Sequence, residues 1–205
     1  MSNYAGSSPS TEFRAQDGSQ AGSAGRGVVS FGAAGSSDRA LGVLATSNQI
    51  SRFGVAFVNN TATTLNQMSA EFVVEQWRRG NVPSPGNSLA FAYAVTSDPT
   101  AGINDNALFT GVTSITAPNT QAAPTEVAID GNAVANQANF AGTISGINWG
   151  PGEYLILRWT GQDITGQDDG LAVDNFSFRA AVPEPAGAAI AGLAVAMLGL
   201  HRKRR

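Results

Sequence analysis

The sequence predicts an all-β protein: a two-sheet, jelly-roll-like β-sandwich of about ten strands, followed by one C-terminal hydrophobic helix. Three observations predict it. Apolar residues alternate with period two in several short stretches, as strands with one buried face require. Clusters of Gly, Pro, Asn and Asp separate those stretches and supply turns. No stretch before the tail carries the 3.6-residue periodicity of an amphipathic helix. Composition agrees, with 42% hydrophobic residues, 24 glycines and only 13% charged residues. A helical domain would need more Glu, Lys and Arg on its solvent faces.

Residues 1–26 are rich in Gly, Ser, Ala and Gln and read as a flexible leader. Residues 27–181 form the predicted sandwich domain. Apolar stretches at 28–31 and 40–44 open it, and Phe53, Val55 and Phe57 alternate within 50–58. Residues 72–77 follow. Leu89, Phe91, Tyr93 and Val95 then alternate between Pro85-Gly86-Asn87 and Asp98-Pro99. Weaker strands are expected at 108–115, 127–129 and 140–147. Tyr154 begins a strong one, with Leu155, Leu157 and Trp159 on one face. In the last, Leu171 and Val173 share one parity but Phe176 and Phe178 share the other. Either both faces are buried, or a bulge near Asp174-Asn175 shifts the register.

Charge and residue usage exclude several function classes. Residues 1–181 hold eight arginines against fourteen acids, a net of −6, whereas 182–205 hold four basic residues against Glu184, a net of +3. An acidic body argues against nucleic acid as a partner, since phosphate binding needs clustered cations. There is no Cys, so disulfides, thiolate metal sites and cysteine nucleophiles are excluded. The one His is His201, in the basic end, so an imidazole base within a folded site is excluded too. The chain reads as a non-enzyme.

The tail, residues 182–205, has three consecutive parts. Val182, Pro183, Glu184 and Pro185 form an extended segment, because each proline fixes φ and biases its predecessor away from the helical region. Residues 186–200 are fifteen uncharged residues, read as a transmembrane helix of about 22 Å at 1.5 Å per residue, against the plainer readings of a loose tail or a helix packed on the body. That is short against a bilayer core of roughly 30 Å, and snorkelling basic side chains cover the difference. His201, Arg202, Lys203, Arg204 and Arg205 end the chain, the last four anchoring it on the cytoplasmic side. The body then lies across the membrane. This order closely resembles the PEP-CTERM sorting signal. The resemblance implies an exosortase-type membrane protease that recognises the Pro-Glu-Pro motif, membrane lipid as a second partner, and an exopolysaccharide-associated destination. The chain is then an inner-membrane-anchored precursor, later placed at the cell surface or in the extracellular matrix. Such a route requires an export signal, yet residues 1–6 are polar and no apolar run of seven stands near the start. The expectation is that the chain as given begins late, having lost a signal peptide and a first strand.

The body resembles a β-sandwich module of bacterial exported proteins. The likeness rests on Ser30-Phe31-Gly32, Asp38-Arg39-Ala40-Leu41-Gly42, Asn59-Asn60-Thr61, Glu75-Gln76-Trp77-Arg78, Pro151-Gly152, Leu157-Arg158-Trp159 and the run from Asp169 to Phe176. Some relatives join this module to an endonuclease/exonuclease/phosphatase domain; that domain is absent here, and its activity is not carried over.

Two candidate sites stand out, each against a plainer structural role. Asp163, Asp168, Asp169 and Asp174 form the densest set of oxygen ligands, a candidate calcium site. Their spacing does not fit an EF-hand loop, and the competing role is a solvated turn capping strands. Trp77 and Arg78 with Arg158-Trp159 form a candidate glycan-stacking surface, whose competing role is core packing beside a partly buried ion pair. Glu71 and Glu75, four residues apart on a strand, stand roughly 13 Å from each other, too far for a glycosidase pair. The glycines within 22–27 are followed by no Lys and do not form a phosphate loop. The expected role is structural or adhesive, without a cofactor; the alternative is a carbohydrate-binding module for extracellular polysaccharide, without catalysis.

Overall fold

A computed structural model of the protein describes residues 2–5, 8–10, 13–20, 25–45, 49–81, 86–121, 125–161 and 163–182. Among these lie fourteen strands: β1 (Ser2–Ala5), β2 (Ser8–Ser10), β3 (Phe13–Gln16), β4 (Gly27–Phe31), β5 (Ala40–Leu44), β6 (Gln49–Val58), β7 (Leu65–Arg79), β8 (Ser88–Thr96), β9 (Thr110–Gly111), β10 (Ala117–Pro118), β11 (Val127–Ala128), β12 (Gln137–Trp149), β13 (Tyr154–Gly161) and β14 (Gly170–Ala181). They form two seven-stranded sheets. The first runs β10-β8-β13-β6-β1-β2, with β9 also on β8. The second runs β11-β7-β14-β5-β4-β3, with β12 also on β7. Every described pairing is antiparallel except β3 with β4.

The all-β, two-sheet expectation holds, with two corrections. Within residues 1–26, expected as a flexible leader, the described stretches include strands. There β1 and β2 pair as a hairpin, β1 lies along β6, and β3 lies along β4. Polar composition misleads here because strands are joined by backbone hydrogen bonds, which any side chain permits. Gln16 is buried and its Nε2 donates to the Gly25 carbonyl at 2.9 Å. The stretch 108–115 is not a strand. It holds two single 3₁₀ turns, Asn106–Leu108 and Thr113–Ile115, around the two-residue β9.

The main core lies between the sheets. From the first sheet come Phe53, Leu89, Phe91, Leu155, Leu157 and Trp159; from the second come Val43, Met68, Phe72, Val74, Leu171 and Val173. These are the period-two positions of the sequence, which is why alternation located them. Trp159 sits at the centre. It stacks on Phe53 at 5.5 Å and meets Phe91 edge-on at 5.2 Å within its own sheet. It meets Phe72 and Phe176 of the other sheet edge-on, both at 5.4 Å. Each such pair contributes about 0.5–1.5 kcal/mol beyond the area it buries.

The parity change in β14 resolves as a bulge. The register against β7 shifts between Asp174 and Ser177, and Asn175 takes φ of +50°. Asn tolerates that left-handed conformation better than most residues. The extra residue lets Leu171 and Val173 on one side of it and Phe176 and Phe178 on the other all face the same core. Val182 is exposed. Pro183, Glu184, Pro185, the helix expected over 186–200 and the basic residues 202–205 lie outside the described residues. Among the described residues no helix is long and apolar enough to cross a membrane.

The Trp159 indole N–H finds no acceptor among the described residues. Its contribution is therefore packing alone, and Trp159→Ala is expected to cost about 3–5 kcal/mol in urea unfolding. Trp159→Phe, which keeps a ring and forfeits no hydrogen bond, is expected to cost clearly less in the same measurement.

Candidate functional site

The glycan-stacking surface expected from Trp77, Arg78 and Trp159 is not formed. All three are buried, at 2%, 6% and 3% exposure, and the two tryptophans occupy different cores. Trp77 faces away from the sandwich interior, into a second apolar cluster with Val29, Phe31, Ala40, Leu44 and Ala172 on the outer side of the second sheet. Its ring stacks on Phe31, and a Cβ at Gly131 would stand 2.3 Å from it, so the segment through Gly131 lies directly against the indole. The sequence signal was sound, a large aromatic on a strand, but which surface covers it was not legible.

Trp77 Nε1 donates to Glu75 Oε2 at 2.9 Å, and Gln137 Nε2 donates to Glu75 Oε1 at 3.0 Å. Burial pushes the Glu75 carboxyl above its ordinary range, with Asp174 and Asp38 adding to the rise. Arg78 donates from Nη1 to the Gly18 carbonyl at 2.8 Å and forms an ion pair with Glu126. The arginine–glutamate pair that the motif suggested therefore exists, but with a partner 48 residues away rather than with Glu75. Glu71 is exposed while Glu75 is buried, so the two present no shared carboxylate cleft.

The acidic cluster is likewise divided. Asp169 is buried, and its Oδ1 accepts from the Gly80 amide at 2.7 Å and from Gln76 Nε2 at 3.1 Å. Its Oδ2 accepts from Asn119 Nδ2 at 3.0 Å and from the Asn87 amide at 3.4 Å. Asn87 Oδ1 accepts from the Asp169 amide at 2.8 Å, and Asn87 Nδ2 donates to Asp168 Oδ1 at 2.7 Å. Gln76 Oε1 accepts from the amides of Thr120 and Gln121. These bonds tie the end of β7, the entry to β8 and the start of β14 into one polar plug at the end of the sandwich. Both oxygens of Asp169, and Oδ1 of Asp168, are already turned to N–H donors. Among the described residues no three His, Cys, Asp or Glu side chains converge on a metal position. Asp174 lies on β14 opposite Val73, away from the plug. Asp163, Asp168, Asp169 and Asp174 are thus not gathered into the candidate calcium site.

One feature of the plug has chemistry of its own. Asp168 Oδ2 is buried without a donor, and the Asp168 carboxyl is pushed up to about 7. Desolvation is the first cause, and the neighbouring Asp163 carboxyl, which stabilises the protonated form, adds to it.

The outer face of the first sheet carries a cavity that the sequence reading did not find. Because Leu155, Leu157 and Trp159 of β13 face inward, Ile156, Arg158 and Thr160 face out. Arg158 stands between Gly54 of β6 and Ala92 of β8, its register partners, so the residues directly beside it across the sheet are small. Arg52, opposite Thr160, shares this face. The segment bearing the first 3₁₀ turn folds over the edge of the floor. Arg158 Nη1 donates to the Ile103 carbonyl at 2.9 Å and to Asn106 Oδ1 at 3.0 Å, and its guanidinium lies 3.8 Å from the centre of the Phe109 ring. Arg52 Nη1 donates to Asn104 Oδ1 at 3.4 Å. The cavity, about 310 Å³, is lined by both arginines together with Asn106, Phe109, Gly111 and Thr160. Period-two alternation would have put Arg52 and Arg158 on one face; that the segment around Asn106 closes it was not legible.

No protein-family model matches the chain, and no curated protein matches it. Among solved structures, the chain is similar to TmCBM61 in complex with β-1,4-galactotriose, at 10% identity and a TM-score of 0.34, over 71% of this chain and 72% of that one. At that score the likeness carries no argument.

The Asp168 site sets a pH dependence. Its folded pKa lies above the unfolded value, so its contribution is most favourable below pH 4 and is lost as pH rises towards 7. Asp168→Asn keeps an Oδ1 acceptor and supplies an N–H in place of the bare Oδ2. In urea unfolding the variant is expected to gain on the parent between pH 5 and pH 8, by roughly 1–2 kcal/mol.

Proposed function

We propose that this protein is an exported, non-catalytic β-sandwich of structural or adhesive type, delivered to the envelope by its C-terminal tail. The observation that carries this reading is the order of the last two dozen residues: Val182-Pro183-Glu184-Pro185, a fifteen-residue uncharged run, and Arg202, Lys203, Arg204 and Arg205 at the end. A proline-bracketed acid before a short apolar helix with cationic residues on its far side fits a sorting signal read at the membrane by an exosortase-type protease. The described body supports a role without catalysis. Its buried carboxylates Glu75 and Asp169 accept on both oxygens from amides, side-chain amides and an indole, as structural groups do.

Cells carrying the full-length gene, with its native upstream sequence, and a version lacking residues 182–205 test this. The intact protein is expected in the membrane or surface fraction, with a mature C-terminus at or near the Pro-Glu-Pro motif by mass spectrometry. The shortened protein is expected to lose that placement. An intact, uncut protein in the cytosolic fraction, unaffected by the deletion, would sink the reading.

A second reading, a carbohydrate-binding module, is favoured by the cavity on the outer face of the first sheet. It is not favoured by Trp77 or Trp159, whose rings are covered. On this reading saturable glycan binding depends on residues around Arg158 rather than on Trp77.

A further inference from the structure

The cavity over β13 combines features that a purely structural arginine does not need. Arg158 is 8% exposed, and its two hydrogen bonds are both made by Nη1, to a neutral carbonyl and a neutral side-chain amide. Its Nε is buried with no acceptor. A guanidinium is a planar fork of five donors, matched in pairs by the two oxygens of a carboxylate. Here most of that fork receives no acceptor from the described residues. Asp105, the one acid among residues 99–111, turns its Oδ1 to the Ala107 amide instead. Arg52 stands close enough to depress the ionisation of Arg158, whose pKa is lowered to about 10, chiefly by burial and then by that second positive charge. Among the described residues no carboxylate pairs with Arg158, and a buried guanidinium without an anion is costly. Arg78, equally buried, shows the contrast, because it has Glu126.

The space beside the pair limits what that anion belongs to. About 310 Å³ is near the lower bound of small-ligand sites and holds one ring-sized unit. Ala90, Ala92 and Phe109 offer apolar contact, while Asn106 and Thr160 offer polar groups at the margin. That mixture suits a sugar ring with alternating C–H and O–H faces.

We infer that the cavity formed by Arg52, Arg158, Asn106, Phe109 and Thr160 binds a carboxylate borne on a sugar ring, as in an acidic polysaccharide. This deepens the carbohydrate-binding reading and is independent of the tail. A uronate residue would place its carboxylate on the Arg158 fork and its ring over the alanine floor. Neutral sugars lack the charged group that matches the open donors of Arg158.

Titration of the full-length protein with glucuronate, glucose and inorganic phosphate, followed by NMR or calorimetry, tests the inference. Glucuronate is expected to bind saturably, and glucose at least about tenfold more weakly, the loss of a charge-assisted pair. Because Arg158→Gln removes a buried side chain and can disturb folding, a second variant is needed. Gly111 lines the cavity and a Cβ there meets nothing within 4 Å, so Gly111→Leu adds bulk at the cavity edge without a clash at Cβ and with both arginines in place. It is expected to abolish glucuronate binding while leaving the unfolding midpoint unchanged. Equal binding of glucose and glucuronate would overturn the inference and leave the carbohydrate reading standing. Binding of neither would overturn both. Phosphate binding as tight as glucuronate, or glucuronate binding unaffected in Gly111→Leu, would overturn the assignment of this cavity to a sugar carboxylate.

Discussion

The architecture depends on the seating of one ring. Trp159 touches Phe53 and Phe91 from its own sheet and Phe72 and Phe176 from the opposite one, so it is where the two layers become a single core. Phe57 against Phe178 at 4.3 Å and Phe72 against Phe91 at 6.1 Å extend that junction to either side. The same contact fixes the rest of β13 by pleat geometry: with Trp159 inward, Arg158 has to point outward. The packing of the interior and the chemistry of the outer face are therefore one decision, made at two adjacent residues.

The polar plug plays a different part. Hydrophobic burial is non-directional and would tolerate several registers at the end of the sandwich. The carboxylate of Asp169 accepts only donors placed at hydrogen-bond distance, and it gathers them from three separate segments. Gln76 and Asn87 complete the arrangement, each serving as donor and acceptor. Such a network is costly when half satisfied and specific when complete. Asp168, whose second oxygen is left bare, is the one weak member, and its elevated pKa is the sign of it.

Much of the fold was legible in the sequence, for a simple reason. Strands with one buried face write their burial into alternation, and Phe53, Phe91, Leu157 and Trp159 were all readable that way. The bulge in β14 was readable too, because a change of parity within one strand has few other causes. The N-terminal strands were not, since backbone pairing leaves no apolar trace in Ser, Asn and Gln. Nor was the outer surface of the second sheet, where Trp77 is covered by a distant loop rather than by water. The candidate sites fared worst for the same reason. Adjacent acids looked like ligands, but their partners, Gln76, Asn87 and Asn119, are neutral residues far along the chain. Arg52 and Arg158 are 106 positions apart, and no motif links the one to the other.

The bulge at Asn175 also constrains how this chain can drift in length. Most hairpin connections absorb an added or lost residue, because a loop has no parity to keep. Within β14 one residue more or fewer between Val173 and Phe176 would rotate every later side chain to the opposite face, sending Phe176 and Phe178 into solvent and Ser177 and Arg179 into the core. Related chains that share this interior are therefore expected to vary in loop length almost anywhere before they vary at that step.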